Sequence, residues 1–112
     1  MGDDTMTRIK NLVDGNRVLL FMKGDRNFPQ CGFSMRAVNI VNALGVPYET
    51  VNVLADPEIR EGVKAFSNWP TIPQLYIDGE FIGGSDICME LYQNGELQKK
   101  VAGHPKAELP AE

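Results

Sequence analysis

Cysteine and long apolar runs are both scarce in this sequence. Only Cys31 and Cys88 occur among its 112 residues. Two thiols in a reducing compartment suggest catalysis, metal binding or no role, rather than a structural disulfide. No apolar stretch approaches the roughly 20 residues that span a bilayer, so we expect no membrane association.

Positive charge is sparse as well. The formal net charge is −4, and nowhere are Lys and Arg dense enough to follow a phosphate backbone, so no nucleic-acid partner is expected. The opening MGDDTMTR lacks the basic start and apolar middle of a secretory signal. Met6 stands where a myristoylated Gly2 would require Ser or Thr. We therefore expect a cytoplasmic protein.

The remaining composition is that of an ordinary globular domain, 43% hydrophobic and 23% charged, in a chain of single-domain length. VLLFM at 18–22 is a short apolar run, typical of a strand buried on both faces, and helical spacing of apolar residues precedes and follows it. Thr5 is expected to cap the first of these helices. YETVNVL at 48–54 predicts a second strand, and Asp56-Pro57 begins another helix.

The segment QLYIDGEFIGG predicts a hairpin, because Asp78-Gly79 is a favoured two-residue turn between β-rich runs. A further helix begins at Ser85-Asp86 and is broken at Asn94-Gly95, and a last helical segment runs to about Val101.

The resulting order, α-β-α-β-α-β-β-α with a terminal extension, predicts an α/β fold. A strand–helix–strand unit implies a parallel pair and the hairpin adds antiparallel strands, which gives a small mixed four-stranded sheet with helices on both faces. We place the domain at residues 1–102 and a disordered C-terminal tail at residues 103–112.

Cys31 is the first candidate for chemistry. It precedes a predicted helix, whose free N–H groups and positive dipole end favour the thiolate and lower the pKa of the thiol. Lys23 ends the preceding strand at the same edge of the sheet, and Arg26 and Arg36 are near in sequence. Reactive cysteines in this setting usually have a second cysteine three residues later, where this chain has Ser34. The alternative is a free cysteine that behaves as a small buried hydrophobe, which a loop position fits poorly.

The stretch WPTIPQLYI is the second candidate. Pro73 immediately precedes a strand, so its missing N–H falls where the hydrogen-bond ladder would begin. A cis Ile72-Pro73 bond, which about 5–6% of X-Pro bonds adopt, would turn the backbone of Ile72 outward to pair with an extended peptide. Trp69 by itself is expected to be a core aromatic.

Gly83-Gly84, followed by Ser85-Asp86, is the third candidate. Glycines at a helix N-terminus can form an anion nest, although a tight turn with an ordinary Ser or Asp cap is the simpler interpretation. Arg60 and Lys64, one helical turn apart, could clamp a second carboxylate or be merely solvated. Together with Cys31, these features describe a groove for a small acidic thiol peptide.

Four motifs resemble the monothiol glutaredoxins of the CGFS type. They are Lys23-Gly24, Cys31-Gly32-Phe33-Ser34, Trp69-Pro70-Thr71-Ile72-Pro73 and Gly83-Gly84-Ser85-Asp86. The resemblance covers about residues 8–101, and the loop GDRNFPQ is similar to the extended loop of this class. The length and the acidic, proline-containing tail resemble the short bacterial members. The resemblance implies a thioredoxin-like fold.

The resemblance also implies a cofactor and its ligands. By position, Cys31 is the redox thiol and the ligand of a [2Fe–2S] cluster that bridges a homodimer. Lys23 and Arg60 would bind the glycine carboxylate of glutathione, and the backbone of Ile72, with Pro73 in cis, would pair with the peptide. Ser85-Asp86 would hold its γ-glutamyl end. Two Cys31 thiolates and two glutathiones would supply the four ligands that such a cluster needs.

The activity implied by the resemblance has several alternatives. The first is an iron–sulfur carrier that delivers clusters to apo target proteins, with a BolA-like protein as a candidate partner. The second is an enzyme, a glutathione-dependent oxidoreductase in which Cys31 attacks a glutathionylated thiol and free glutathione resolves the intermediate. We expect this activity to be at most weak. The others are a regulatory interaction module and a cluster ligated by both Cys31 and Cys88 of each chain.

The chain departs from the family pattern at Ser85, where many relatives have a cysteine that can pair with the motif cysteine. The second cysteine here, Cys88, comes three residues later, and we expect it to face the core beside Ile87 and Leu91. A disulfide between Cys31 and Cys88 is therefore not expected without unwinding of the helix.

Overall fold

Helices and strands follow one another in the predicted order through residues 3–106, the part of the chain that the structure, a computed structural model, describes. The helices are α1 (Asp3–Gly15), α2 (Gly32–Leu44), α3 (Pro57–Ser67), α4 (Ser85–Gln93) and α5 (Glu96–Lys100). The strands are β1 (Val18–Met22), β2 (Glu49–Asn52), β3 (Gln74–Ile77) and β4 (Glu80–Gly83). No helix within residues 3–106 is long and apolar enough to cross a membrane.

The four strands form one mixed sheet in the order β2-β1-β3-β4. β1 pairs in parallel with β2 and antiparallel with β3, and β3 pairs antiparallel with β4. The predicted hairpin turn is confirmed, since Asp78 and Gly79 both have positive φ angles, 52° and 82°, as a type I′ turn requires. The predicted mixed four-stranded sheet is therefore confirmed.

Two hydrophobic clusters cover the two faces of the sheet. β1 is buried along its whole length, and its residues alternate between the clusters as the period of a strand dictates. Val18, Leu20 and Met22 face the side of α2, α4 and α5. Leu19 and Phe21 face the side of α1 and α3. Helices on both faces of the sheet are confirmed.

The structure corrects two predicted boundaries. β2 ends at Asn52 rather than at residue 54, because the side-chain oxygen of Asn52 accepts hydrogen bonds from the N–H groups of Gly24 and Leu54 and turns the chain. Thr5 does not cap α1, because the helix already begins at Asp3. Thr5 is buried in the first turn instead, and its hydroxyl donates to the Glu58 carboxylate at 3.3 Å.

The C-terminal residues return to the hairpin. The His104 side chain is only 3% exposed, and its Nε2 lies 2.9 Å from Oδ2 of Asp78. The rest of the predicted tail, residues 107–112, lies outside the described residues, so the disorder of that tail stays a prediction.

Candidate active site

Cys31 occupies the N-cap position of α2, with extended backbone at φ −153° and ψ 157°. Its Sγ accepts a hydrogen bond from the backbone N–H of Ser34 at 3.3 Å. The side chain is only half-buried, and Gly45 in left-handed conformation ends the helix at its other end. The predicted position of this thiol at a helix N-terminus is confirmed, and it is not a core residue.

Ser34 connects the thiol to the end of β1. It is fully buried, and its Oγ lies 3.3 Å from Sγ of Cys31. The same Oγ accepts a hydrogen bond from the backbone N–H of Lys23 at 3.0 Å. A thiolate has no hydrogen to give, so the Ser34 hydroxyl donates to Cys31 once that residue ionises. The residue that replaces a second cysteine thus supplies a hydrogen bond to the first.

The surroundings of Cys31 lower its pKa from the usual cysteine value. Burial acts to raise it, but the Ser34 hydroxyl, the backbone N–H groups of Ser34 and Phe33, and the charge of Lys23 outweigh burial. Neither of the two neighbouring arginines contributes. Arg26 donates to the Tyr48 carbonyl at 2.7 Å, and Arg36 pairs with Asp86. Lys23, at the end of β1, therefore acts on the thiol, whereas Arg26 and Arg36 are near Cys31 in sequence without lowering its pKa.

The loop between β1 and Cys31 is tightly folded. Gly24 has a φ of +87°, and a Cβ on it would lie 2.4 Å from the Phe28 carbonyl oxygen, so only glycine fits. The Asp25 carboxylate accepts from the N–H groups of Asn27 and Phe28. Phe28 itself is 70% exposed at the outside of this loop. The loop that leads to Cys31 therefore has a well-defined conformation.

A groove of about 440 Å³ opens beside Cys31. It is bounded by β1, α2, α3, the segment before β3 and the start of α4. Six sequence-predicted binding residues line it together: Lys23, Arg60, Ile72, Pro73, Ser85 and Asp86. Cys31 is not part of its wall, but Phe33, two residues later, is. The fold thus brings Lys23 and Asp86, which are 63 positions apart in the sequence, into one site.

Part of the groove lining is basic. Lys23, Arg60 and Lys64 form this part, and the Nε of Arg60 is buried without a hydrogen-bond partner anywhere in residues 3–106. Lys64 contacts Glu61 at 3.4 Å, a pair too exposed to neutralise it strongly. A buried donor without a partner is costly, so this part of the lining suits a carboxylate. Lys64, which the sequence suggested only as a possible clamp, belongs to the wall.

The segment at 69–73 forms a second wall. The Ile72-Pro73 bond is cis, as the sequence-based hypothesis required. Trp69 is 36% exposed and lines the groove beside Pro70 and Thr71, so its prediction as a core aromatic is wrong. Its ring packs against Phe81, with centroids 6.1 Å apart. Because loop residues show no periodicity in the sequence, the place of Trp69 in the wall of the groove could not be predicted from sequence spacing.

The start of α4 supplies another part of the groove lining. Gly84 is the N-cap and makes no side-chain capping bond, so side chains leave the first N–H groups of the helix uncapped. Of the two sequence-based interpretations, the ordinary Ser or Asp cap is therefore wrong, because helix α4 begins at Ser85 itself. Asp86 is highly exposed, and its Oδ1 accepts from Nη1 of Arg36 at 3.3 Å.

Cys88 lies within the core and away from this chemistry. It is 1% exposed, and burial raises the pKa of its thiol to about 12. Leu91 packs against the same cluster, but Ile87 lines the groove instead. The burial of Cys88 was predicted correctly, whereas the inward orientation of Ile87 was not. Within residues 3–106 no three side chains of His, Cys, Asp or Glu cluster to hold a metal ion.

A mixed sheet between two helical layers, with a cysteine at the N-cap of α2 and a cis-proline wall beside it, defines a thioredoxin-like thiol protein. Comparison with known proteins gives the family. A family model described as Glutaredoxin matches residues 18–82. A Synechocystis protein named uncharacterized monothiol glutaredoxin ycf64-like is 62% identical over 99 residues, 88% of this chain and 92% of that protein.

Two further relatives agree. Probable monothiol glutaredoxin 2 of Rickettsia typhi is 51% identical over 106 residues, covering 95% of this chain and 96% of its own. The solution structure of reduced poplar apo GrxS14 has a TM-score of 0.76 at 52% identity, and covers 87% of this chain and 89% of that one. The chain belongs to the glutaredoxin family, with its monothiol members, as the resemblance implied.

Proposed function

We propose that this protein binds glutathione in the groove and, as a homodimer, holds a [2Fe–2S] cluster that it passes to apo iron–sulfur proteins. The observation that carries the proposal is a groove lined by Lys23, Arg60 and Lys64 and by the start of α4, next to a half-buried thiol whose pKa is lowered. Glutaredoxins typically use glutathione, whose two ends carry different charges.

Two parts of the groove lining suit the two ends of this peptide. Lys23, Arg60 and Lys64 would receive the glycine carboxylate, with the unpartnered Nε of Arg60 among the available donors. The N–H groups at the start of α4 would receive the γ-glutamyl carboxylate. Asp86 would bind the γ-glutamyl ammonium, in competition with Arg36. The backbone of Ile72 would pair with the middle of the peptide.

The cluster would be held by Cys31 of each of two chains and by the thiolates of two bound glutathiones. Such a cluster requires four ligands, usually thiolates, and would supply a transferable iron–sulfur unit. Cys31 fits this role because it is accessible and favours the thiolate. The rival set, Cys31 with Cys88, is disfavoured because Cys88 is buried in the core with a raised pKa. A BolA-like protein is a candidate partner, and a reducing compartment such as the cytoplasm is part of the proposal.

Anaerobic reconstitution of the apo protein with iron and sulfide, with and without glutathione, tests the proposal. We expect a cluster absorption spectrum and a dimeric mass only when glutathione is present, and no cluster with Cys31→Ser. Cys88→Ser is the matched control and should bind the cluster as the unaltered chain does. A cluster that forms without glutathione, or that survives Cys31→Ser, would contradict the proposal.

A second candidate function, glutathione-dependent oxidoreduction, is favoured by the lowered pKa of Cys31. The Cys31 thiolate would attack the glutathione sulfur of a mixed disulfide, and the target protein would leave as its thiolate. A free glutathione thiolate would then attack the Cys31–glutathione disulfide, which gives glutathione disulfide and restores Cys31. Reduction of a glutathionylated peptide, followed by the release of its thiol, measures this activity. A rate equal to that of Cys31→Ser would exclude it.

A further inference from the structure

Gln74, the first residue of β3, is a fully buried polar side chain that no role in binding yet explains. Its Nε2 donates to the carbonyl oxygens of Trp69 and Thr71, each at 3.2 Å. Its Oε1 accepts from the hydroxyl of Tyr76 at 3.1 Å. The amide orientation follows from these partners, because two carbonyls require the nitrogen and its two hydrogens.

The two carbonyls belong to the wall of the groove rather than to the sheet. Residues 69–73 form neither helix nor strand, and Pro70 and Pro73 have no N–H with which to tie the segment down. The side chain of Gln74 therefore holds two carbonyls that no helix or strand ladder engages. A buried amide is costly unless it is fully paired, so an apolar residue would suit this core position better if only packing mattered.

Tyr76 supports the amide from the opposite side. It is 2% exposed, and its ring contacts those of Phe21, Phe66 and Phe81. Phe81 in turn contacts the ring of Trp69. The wall is thus attached to the sheet twice, through the Gln74 amide at its backbone and through an aromatic contact at Trp69.

We propose that Gln74 is a positioning residue of the groove: it holds the segment at 69–73 in the shape that receives the thiol peptide, without touching that peptide. This inference rests on the proposed binding of glutathione. Gln74 thus contributes to the affinity for the ligand although it lies outside the groove. A substitution of Gln74 should leave Cys31 and its surroundings unchanged.

Two variants of Gln74 test the proposal. Gln74→Met keeps the unbranched length without hydrogen bonds, and Gln74→Glu keeps an acceptor for Tyr76 but has no amide N–H groups for the two carbonyls. We expect each to raise the KM for a glutathionylated peptide about tenfold, the scale of one or two net hydrogen bonds, with little change in kcat. Trp69 is the single tryptophan of the chain, so a shift in fluorescence should report the altered wall.

Leu97→Ala is the control for a loss of stability alone. Leu97 is fully buried in α5, in the hydrophobic cluster on the other face of the sheet. Its substitution should therefore leave both the KM and the Trp69 emission unchanged. The inference would be overturned if the Gln74 variants had the same KM and the same Trp69 emission as the unaltered chain. It would also be overturned if both Gln74 variants failed to fold while Leu97→Ala folded. If the unaltered chain showed no affinity for glutathione, the proposed function would fail instead, and the emission would still decide whether Gln74 shapes the wall.

Discussion

At the scale of single residues, Ser34 changes what a lone cysteine can do. The hydroxyl joins the N–H of Lys23 to the sulfur of Cys31, so that the end of β1 and the start of α2 both act on the thiol. A second cysteine at position 34 could form a disulfide with Cys31. That disulfide would prevent Cys31 from binding an external ligand. Ser34 instead favours the thiolate of Cys31 through its hydrogen bonds and cannot form a disulfide with it.

Removal of that hydroxyl gives the first prediction. The rate of Cys31 alkylation by iodoacetamide should rise with pH to a plateau, with a midpoint below that of an ordinary cysteine, because the thiolate is the nucleophile. In Ser34→Ala the midpoint should move to higher pH, since a hydrogen bond to the thiolate is lost. Arg26→Gln is the control, because Arg26 contacts Tyr48 instead and should not move the midpoint. An unchanged midpoint in Ser34→Ala would remove the role assigned to its hydroxyl.

At the scale of elements, the glycines that join β4 to α4 decide where the helix N-terminus lies. Gly83 has a φ of +149°, and a Cβ on it would be 2.9 Å from Cβ and Cγ2 of Ile87. Gly84 approaches the Pro73 carbonyl oxygen, with 3.4 Å left for a Cβ. This contact brings the start of α4 against the wall at 69–73, and so completes the groove.

The second prediction concerns Gly83→Ala. The substitution should lower the free energy of unfolding by about 1–3 kcal/mol, because an L side chain is strained at this φ and collides with Ile87. Urea denaturation measures the change. Gly103→Ala, at a glycine with open space and no positive φ, should have almost no effect. Equal stability of the two variants would show that the turn tolerates a side chain.

At the scale of the whole molecule, the two faces of the sheet bury two groups that can ionise only in alkaline solution. Burial is the main cause of the raised pKa of each, to about 12 for both Cys88 and Tyr76. In the unfolded chain these groups ionise near their ordinary values, 9.0 for cysteine and 10.0 for tyrosine. The folded state therefore keeps protons that the unfolded state loses.

The third prediction is alkaline destabilisation. Stability from the neutral Cys88 thiol is fully present below about pH 9 and is lost as the pH rises toward 12. Each such group contributes a slope of at most about 1.4 kcal/mol per pH unit in this window. Denaturation at a series of pH values measures it, and Cys88→Ala should flatten the slope between pH 9 and 10. The same slope in the variant and the unaltered chain would show that Cys88 does not contribute.

Much of the fold was predictable because its signals are local. The apolar run of β1, the Asp78-Gly79 turn and the Asp56-Pro57 helix start each depend on neighbouring residues, and the structure confirms all three. Candidate binding residues were predictable from motifs in a family pattern. Trp69 and Ile87 were not, since their exposure depends on distant elements that pack beside them.

By itself, the sequence determined the order of helices and strands, the position of a thiol at a helix N-terminus and the family to which the chain belongs. Only the tertiary structure decided that Arg26 and Arg36 are paired elsewhere, that Ser34 touches Cys31, and that Gln74 supports the wall of the groove. The physical reason is the distance in sequence over which each effect acts. Propensity and spacing act over a few residues, whereas a hydrogen bond or a charge acts on whatever the fold brings within a few ångströms.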